Sequence, residues 1–329
     1  MRVLAVDDDE IILELLEAIV GQIPDVDLET ACGPEAAIAA ISAAPVPFEC
    51  LLFDIQMPYK NGIELCREVR AMQDYKFTPI IMITAMSDKS HIDDAFAAGA
   101  TDYVTKPFDM ADVQTRLKIA QKRSEAQLES GQSIHFSSRA AYPVANAGDK
   151  PNLFDHIAVF DVPGLVEPNS LMNYLSQLSR ANLFGSGIFA ISIRRIEELY
   201  LRCDAFEFEA LIADVAEAIS DCLRNESFLF SYGGNGTFDC VVHGGRQPDL
   251  NELVDQINIQ LQQMGLCYSD GTPQQFQVLA GDFYRLVWRS SGTVGDVLAD
   301  AHHSAEQAAI EKEKQLDDFW FAAKGQTAV

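Results

Sequence analysis

The stretch Cys50–Asp54, with the sequence CLLFD, decides the fold class of the first part of the chain. Four apolar residues followed by an aspartate are typical of a short strand that is buried on both faces and ends at a polar site. The same arrangement, a short apolar run that stops at a polar residue, recurs at Val3–Val6, Pro79–Ile83 and Tyr103–Thr105. We therefore expect a buried strand at each of these places.

Segments with helical periodicity separate these runs, as at Ile11–Val20 and Ile92–Ala98. Two further helices are predicted at Gly33–Ala43 and Gly62–Met72, and a weaker strand at Val26–Thr30. This alternation of strands and helices predicts a doubly wound α/β domain, in which a five-stranded parallel sheet is covered by helices on both faces.

Polar side chains follow the predicted strands directly: Asp7, Asp8, Asp54, Thr84 and Lys106. In an open α/β sheet, the carboxyl ends of the strands form the crevice where chemistry takes place. Three carboxylates held together there repel one another, and a hard divalent cation such as Mg²⁺ relieves that repulsion. With Asp7 and Asp8 binding the metal, Asp54 is free to act as a nucleophile that forms an aspartyl phosphate. Lys106 then supplies a positive charge, and Thr84 a hydroxyl donor, to the phosphoryl oxygens.

The motifs at these positions resemble those of the receiver domain of response regulators, which has a flavodoxin-like fold. The matching segments are Val6–Asp8, Phe53–Pro58, Gly62, Thr84-Ala85 and Tyr103–Phe108. The resemblance implies a two-component phosphorelay, in which Asp54 receives its phosphoryl group from a histidine kinase or a phosphotransfer protein.

The same resemblance assigns further roles. It implies that the backbone carbonyl of Gln56 joins the three aspartates in the metal shell, and that the Lys106–Pro107 bond is cis. It also implies that Thr84 and Tyr103 form a conformational switch that responds to phosphorylation. The family's output face falls at residues 90–120 and is here a candidate surface for a homodimer or a partner protein.

Composition narrows the functional class of the whole chain. The net charge of −25 disfavours binding to nucleic acids and to anionic membranes, because both need clustered Lys and Arg. No apolar run is long enough to predict a transmembrane helix, and the first residues lack the pattern of a signal peptide. The seven cysteines are scattered without a Cys-x-x-Cys pair, which is typical of reduced thiols. We therefore expect a cytoplasmic protein.

Composition and periodicity divide the chain into three parts. Residues 1–125 are the receiver-like domain, residues 126–153 a helical extension and linker, and residues 154–329 a second domain. The linker prediction rests on the stretch 132–152, which is rich in Ser, Ala, Asn, Gly and Pro.

The second domain is predicted to have an α+β fold with a mostly antiparallel sheet. Strands are expected at Gly187–Ile193, Phe228–Tyr232, Phe238–Val242 and Phe276–Arg285. Helices are expected at Ser170–Leu183, Ile196–Leu223 (one helix or two), Leu250–Leu266 and Val294–Leu316. The dipeptide Asn235-Gly236 between two strands predicts a tight hairpin.

The order of these elements resembles the GGDEF domain, the fold of diguanylate cyclases. Asp161–Leu165 with Pro168-Asn169 is similar to the family's opening motif, and Val297–Ala301 to the start of its last helix. The signature hairpin of the family falls on Gly233, Gly234, Asn235, Gly236, Thr237 and Phe238.

The positions that carry catalysis in that family are altered in this sequence. The first metal carboxylate falls on Ser192, and Arg194 stands where a second aspartate is common. The hairpin, with Asn235 at its turn, is one residue longer than the family pattern and contains no acid. Two Mg²⁺ ions with a triphosphate need carboxylate ligands. We therefore expect no diguanylate cyclase activity and an output domain that works through contacts with a downstream protein.

Nucleotide binding is the alternative to this interpretation. Arg224 falls where the family's product-inhibition motif begins, but Ser227 replaces the aspartate of that motif. A cyclic-di-GMP receptor acting through Arg224, a GTP-binding domain and a residual cyclase therefore stay open at this point.

Overall fold

The computed structural model describes residues 1–85, 89–129, 150–155, 157, 159, 162–178, 183, 185–286 and 293–326. These residues form two compact units, which divide between Pro143 and Val144. The N-terminal unit carries a parallel sheet and the C-terminal unit an antiparallel sheet, and each is described by itself below.

The N-terminal unit contains a five-stranded sheet in the order β2-β1-β3-β4-β5, in which every pairing is parallel. Its strands are β1 Arg2–Asp7, β2 Asp27–Cys32, β3 Cys50–Asp54, β4 Ile80–Thr84 and β5 Asp102–Thr105. The predicted doubly wound parallel sheet is confirmed. The weak second strand begins one residue later than expected and continues to Cys32.

An α-helix follows each of these strands: α1 Glu10–Val20, α2 Pro34–Ala43, α3 Gly62–Arg70, α4 Lys89–Ala97 and α5 Met110–Glu129. Side-chain caps fix where two of them begin. Asp9 accepts a hydrogen bond from the Ile11 amide at the start of α1, and Asn61 and Glu64 form a capping box at the start of α3. A cap of this kind contributes about 1 kcal/mol to stability. The two caps lie in the loops that follow β1 and β3, the strands that end at Asp7 and Asp54.

The core of this unit explains the continuous apolar runs in its strands. Residues that point to opposite faces of β3, such as Leu51 and Leu52, are both buried, because helices cover the two faces of the sheet. On one face, Val3, Ala5 and Ile81 pack against α1 and α5. The Lys106–Pro107 bond is cis, as the resemblance implied.

The C-terminal unit contains an antiparallel sheet in the order β10-β6-β8-β7, with β9 also paired to β6. Its strands are β6 Gly187–Ile193, β7 Phe228–Gly234, β8 Thr237–Val242, β9 Val278–Ala280 and β10 Tyr284–Arg285. Its helices are α6 Pro168–Gln177, α7 Ile196–Arg202, α8 Ala205–Leu223, α9 Leu250–Met264 and α10 Val294–Gln326. A second domain with an antiparallel sheet is therefore present, as predicted.

Several predicted bounds differ from those in the structure. The helix expected at Ser170–Leu183 ends at Gln177, and much of its predicted second half lies outside the described residues. The segment Ile196–Leu223 forms two helices, because Asp204 caps a new helix with a capping box after Cys203. The single strand expected at Phe276–Arg285 is two strands. Gly281 interrupts it and lies so close to α10 that a Cβ there would be 2.4 Å from the Ala305 nitrogen.

The hairpin between β7 and β8 has the predicted tight turn. Asn235 and Gly236 have φ angles of 50° and 70°, and Gly234 pairs with Thr237 across the turn. Two consecutive positive φ angles are typical of a type I′ turn, which Asn-Gly favours. The register is irregular between Tyr232 and Gly234, so that Gly233 has no paired residue on β8.

The second domain was predicted to begin at residue 154, but residues before this position already belong to the fold of the C-terminal unit. Leu153 belongs to the buried core, and its carbonyl accepts a hydrogen bond from the Asn235 amide. The Lys150 ammonium donates to the carbonyls of Tyr200 and Cys203 and lies over the Tyr200 ring. The sequence did not predict these contacts, because the composition up to residue 152 is typical of a linker. The linker residues 130–149 lie outside the described residues.

Helix α5 continues past residue 125 to Glu129, in agreement with the helical extension predicted to follow the receiver-like domain. The last helix, α10, differs from the prediction, because it continues beyond its expected end at Leu316. None of the helices in the described ranges combines the length and the hydrophobicity needed to cross a membrane.

Candidate functional site

Three carboxyl groups meet at the carboxyl edge of the parallel sheet. Asp7 and Asp8 stand at the end of β1, and Asp54 ends the neighbouring strand β3. Each offers an oxygen within 4.8 Å of the other two. Asp7 and Asp54 are buried, whereas Asp8 is exposed. The structure therefore brings together the three aspartates that the sequence predicted, with one side of the cluster open to solvent.

Lys106 is the cation that faces this cluster. Its ammonium lies 2.7 Å from Asp7 Oδ2 and 2.5 Å from Asp54 Oδ1. The backbone amide of Lys106 donates to the Thr84 carbonyl, which fixes the residue beyond the end of β5. Three carboxylates facing one ammonium carry an excess of negative charge in a partly buried site, and hard oxygen ligands of this kind suit Mg²⁺. The donor set thus fits the divalent cation expected from the sequence.

The environment shifts the pKa values of the central pair. Burial raises the pKa of Asp54, and the hydrogen bond and charge of Lys106 only partly oppose this effect. Burial alone would lower the pKa of Lys106, but its hydrogen bonds to Asp54 and Asp7 outweigh burial and raise it. Lys106 is therefore a stable positive charge beside Asp54.

Gly62, at the start of α3, allows this helix to approach β3, the strand that ends at Asp54. Its amide donates to the Ile55 carbonyl, and a Cβ at this position would lie only 2.0 Å from the Asp54 carbonyl oxygen. The obstacle is main chain, which a side-chain rotation cannot remove. The sequence identified Gly62 as part of a motif, and the structure supplies the physical reason for glycine there.

Gln56 lies two residues beyond Asp54, and its backbone amide hydrogen-bonds to the Asp54 carboxylate. This contact orients the carboxylate and favours its charged form. The role of the Gln56 carbonyl as a metal ligand stays a prediction.

The two predicted switch residues are both buried. Thr84 ends β4, and Tyr103 lies in the adjacent strand β5. The Tyr103 ring packs edge-to-face on Phe96, with centroids 6.2 Å apart, and burial raises the pKa of its hydroxyl. Asp102, one residue before, binds the Arg116 guanidinium at 2.8 Å and so ties β5 to α5. Sequence reasoning did not find this buried ion pair, because a single Asp or Arg gives no local signal.

Comparison with known proteins identifies this unit. The family model described as a response regulator receiver domain matches residues 3–118. The N-terminal unit is a response regulator receiver domain. Receiver domains generally bind Mg²⁺ at an acidic pocket, and Asp7, Asp8 and Asp54 form a pocket of this kind.

Curated relatives and solved structures are each similar to a part of the chain. The chain is 31% identical over 159 residues to transcriptional regulatory protein ResD of Bacillus subtilis, a match that covers 48% of this chain and 58% of that protein. It is 39% identical over 127 residues to regulatory protein VanRB of Enterococcus faecalis, with 38% and 54% covered. Chemotaxis protein CheY4 of Vibrio cholerae is 32% identical, with a TM-score of 0.34, 36% of this chain covered and 97% of that chain. The chain spans about half the length of the curated relatives it matches.

Beyond the receiver domain, the residues that the GGDEF resemblance singled out lie close together in the C-terminal unit. The hydroxyls of Ser192 and Thr237 are 3.0 Å apart and hydrogen-bonded, and both residues are buried. The Asn235 side chain donates to Glu306 in α10 at 2.7 Å. Neutral groups that satisfy one another thus fill the position expected for a metal carboxylate, and the turn next to it is bound to the last helix.

A second polar contact near the hairpin was missed by sequence reasoning. His302 in α10 hydrogen-bonds to Asp239 in β8 at 2.9 Å, and its other ring nitrogen lies 3.7 Å from Glu306. Burial lowers the pKa of His302, but the bond to Asp239 and the nearby charges outweigh burial and raise it. A Cβ at Gly233 would lie 2.7 Å from this ring, so glycine at the irregular position of β7 makes room for it.

Other residues singled out by the GGDEF resemblance give no further site. Arg224 caps the end of α8 and is exposed. Asp161, the first residue of the segment that is similar to the opening motif of the GGDEF family, lies outside the described residues. Among the residues that the structure describes, the three receiver aspartates are the one cluster in which three or more potential ligands could bind the same metal ion.

Proposed function

We propose that this protein is a cytoplasmic two-component response regulator that is phosphorylated on Asp54. The receiver domain implies a histidine kinase or a phosphotransfer protein as the phosphoryl donor. We propose further that the C-terminal unit is a GGDEF-like domain without cyclase activity, which relays the signal through contacts with a downstream protein.

The observation that carries the first part is the contact between Lys106 and Asp54 within the three-aspartate cluster. In the transfer step, an Asp54 oxygen attacks phosphorus while the bond to the donor's imidazole nitrogen breaks. Lys106 neutralises charge on the transferred group. Thr84, at the end of the adjacent strand, would donate a hydrogen bond from its hydroxyl to a phosphoryl oxygen. Bound Mg²⁺ would contribute further charge neutralisation, held by Asp7, Asp8 and Asp54.

Labelling with a small phosphodonor tests this part. Wild-type protein incubated with acetyl phosphate and Mg²⁺ should gain one phosphoryl group, and Asp54→Asn should gain none. Asp9→Asn is the matched control, because Asp9 caps α1 beside the cluster and asparagine preserves a cap. Equal labelling of Asp54→Asn and wild type would exclude Asp54 as the acceptor.

The observation that supports a non-catalytic output domain is the hydrogen bond between Ser192 and Thr237. Two neutral hydroxyls supply little of the negative charge that two Mg²⁺ ions and a nucleoside triphosphate need from their protein ligands. The Asn235 main chain binds Leu153 and its side chain binds Glu306, so the hairpin turn already has structural partners. These contacts favour a hairpin that holds the domain together over one that binds substrate.

Two measurements test this second part. Calorimetric titration of the full chain with GTP and Mg²⁺ should give no binding heat in the micromolar range, and chromatography should detect no cyclic-di-GMP product. Titration with cyclic-di-GMP tests the alternative receptor function, with Arg224→Ala as the variant that would remove binding. Micromolar binding of either nucleotide would contradict the proposal of an output domain that works through protein contacts alone.

A further inference from the structure

Arg194 is an unusual cation in this acidic protein. It follows β6 directly, and its backbone amide donates to the Gln277 carbonyl at 2.8 Å, which holds the residue in place. Its side-chain Nε is buried and has no hydrogen-bond partner among the described residues. No carboxylate in the part of the chain that the structure describes forms an ion pair with its guanidinium. A buried guanidinium nitrogen without an acceptor is unfavourable, and a bound water or a ligand would supply the acceptor.

Arg194 lines a surface cleft of about 470 Å³. Of the residues that the structure describes, two arginines, four glutamines, one leucine and one phenylalanine line this cleft, and none of these is acidic. In a chain with a net charge of −25, a cleft that combines two arginines with no carboxylate is distinctive. The second arginine, Arg195, is already paired with Glu198 and Glu313, so Arg194 supplies the charge that is available to a ligand.

The glutamines give the cleft donors and acceptors beside that charge. Gln262 comes from the end of α9, whereas Gln274 and Gln277 come from the segment before β9. Carboxamides both donate and accept hydrogen bonds, and a guanidinium presents a planar set of donors that matches carboxylate and phosphate oxygens. The chemistry of the cleft therefore suits a small ligand with an oxyanion and additional hydroxyl or amide groups.

We propose that this cleft is a binding site for a small molecule that carries a phosphate or carboxylate group, with Arg194 as its anion-binding residue. Arg194 stands where an aspartate is common in the GGDEF family that the sequence resembles. The charge reversal creates an anion site beside the position where the family's metal carboxylate is lost. The site would give the C-terminal unit a chemical input that is separate from phosphorylation of Asp54.

Side-chain NMR of the full chain tests this proposal at the residue itself. The Arg194 Nε–H resonance is assigned from its loss in Arg194→Lys, and the protein is titrated without Mg²⁺ at constant ionic strength. Sodium phosphate and sodium succinate form separate arms, and sodium chloride is the reference. We expect a saturable shift of the Arg194 signal in at least one oxyanion arm and none in the chloride arm. The stronger arm identifies which oxyanion the cleft prefers.

Variants separate a built site from general attraction of anions. With the backbone amides of Gln262 and Gln277 as reporters, Arg194→Gln should weaken binding at least tenfold. Gln262→Ala should weaken oxyanion binding several-fold and keeps the Arg194 signal. This variant therefore tests the cleft even if Arg194→Gln does not fold. Arg246→Gln, at an exposed arginine outside the cleft, should change nothing. The absence of a saturable shift in both oxyanion arms, or equal binding by Arg194→Gln and wild type, would overturn the proposal.

Discussion

Replacement of Gly62 by alanine should damage the phosphorylation site without touching a charged residue. The alanine Cβ would lie 2.0 Å from the Asp54 carbonyl oxygen, whereas ordinary contact begins near 3.4 Å. The main chains of α3 and β3 must therefore separate by about 1.4 Å, which is overpacking of the kind that costs about 1–3 kcal/mol. The displacement falls on the residue that holds the acceptor carboxylate next to Lys106.

The functional effect should exceed the loss of stability. A shift of about 1 Å in the position of a reacting group can slow a reaction by about 10²-fold. We expect Gly62→Ala to be phosphorylated by acetyl phosphate about 10²-fold more slowly than wild type, while its circular dichroism shows a folded protein. The two measurements are the rate of labelling and the free energy of unfolding in urea.

Gly185→Ala is the matched control for this experiment. A Cβ at Gly185 meets no atom of the described residues within 4 Å, and the residue lies in the C-terminal unit. It should therefore leave both the labelling rate and the stability unchanged. Wild-type labelling by Gly62→Ala, with unchanged stability, would refute the argument that the close approach of α3 positions Asp54.

Three further predictions concern charge, pH and packing. Lys106→Met should slow phosphorylation by about 10²–10³-fold in the labelling assay, because it removes the cation that faces Asp54; a wild-type rate would show that this cation is dispensable. The raised pKa of His302 means that its contact with Asp239 stabilises the fold below about pH 6.5, and that this contribution is lost as the pH rises through the raised value. The free energy of unfolding in urea should therefore decrease over that pH range in wild type, and decrease less in His302→Gln. The same pH dependence in both proteins would contradict a stabilising contact between His302 and Asp239. Leu153→Ala should destabilise the C-terminal unit by about 2–5 kcal/mol, because Leu153 is part of its core; an unchanged unfolding curve would remove Leu153 from the folded unit.

Local patterns in the sequence were sufficient to predict the parallel sheet and its reactive edge. Apolar runs that stop at Asp7, Asp54 and Thr84 mark strand ends, and parallel strands bring such ends to one edge of the sheet. The resulting cluster of three aspartates with Lys106 matches that expectation. Apolar runs that end at a polar residue can predict such a site, because each site residue is positioned by the strand that it ends.

Contacts between distant residues could not be predicted in the same way. Asp239 and His302 are 63 residues apart in sequence, and neither belongs to a motif with a fixed spacing. Arg116 and Asp102 likewise meet only because α5 packs on β5. Leu153 was assigned to the linker because it adjoins a stretch rich in Ser, Ala, Asn, Gly and Pro, although its side chain is buried in the core. Such pairs depend on tertiary packing and leave no periodic signal in either segment.

Identification of the phosphorylated residue shows whether Asp54 is the phosphoryl acceptor. The full chain is phosphorylated with acetyl phosphate and Mg²⁺, reduced with borohydride, which converts an aspartyl phosphate to homoserine, and analysed by peptide mass spectrometry. The account predicts homoserine at position 54 and at no other aspartate, because Asp54 is the carboxylate that Lys106 faces at the end of β3. Modification of Asp7 or Asp8 in its place, or of no aspartate at all, would contradict it.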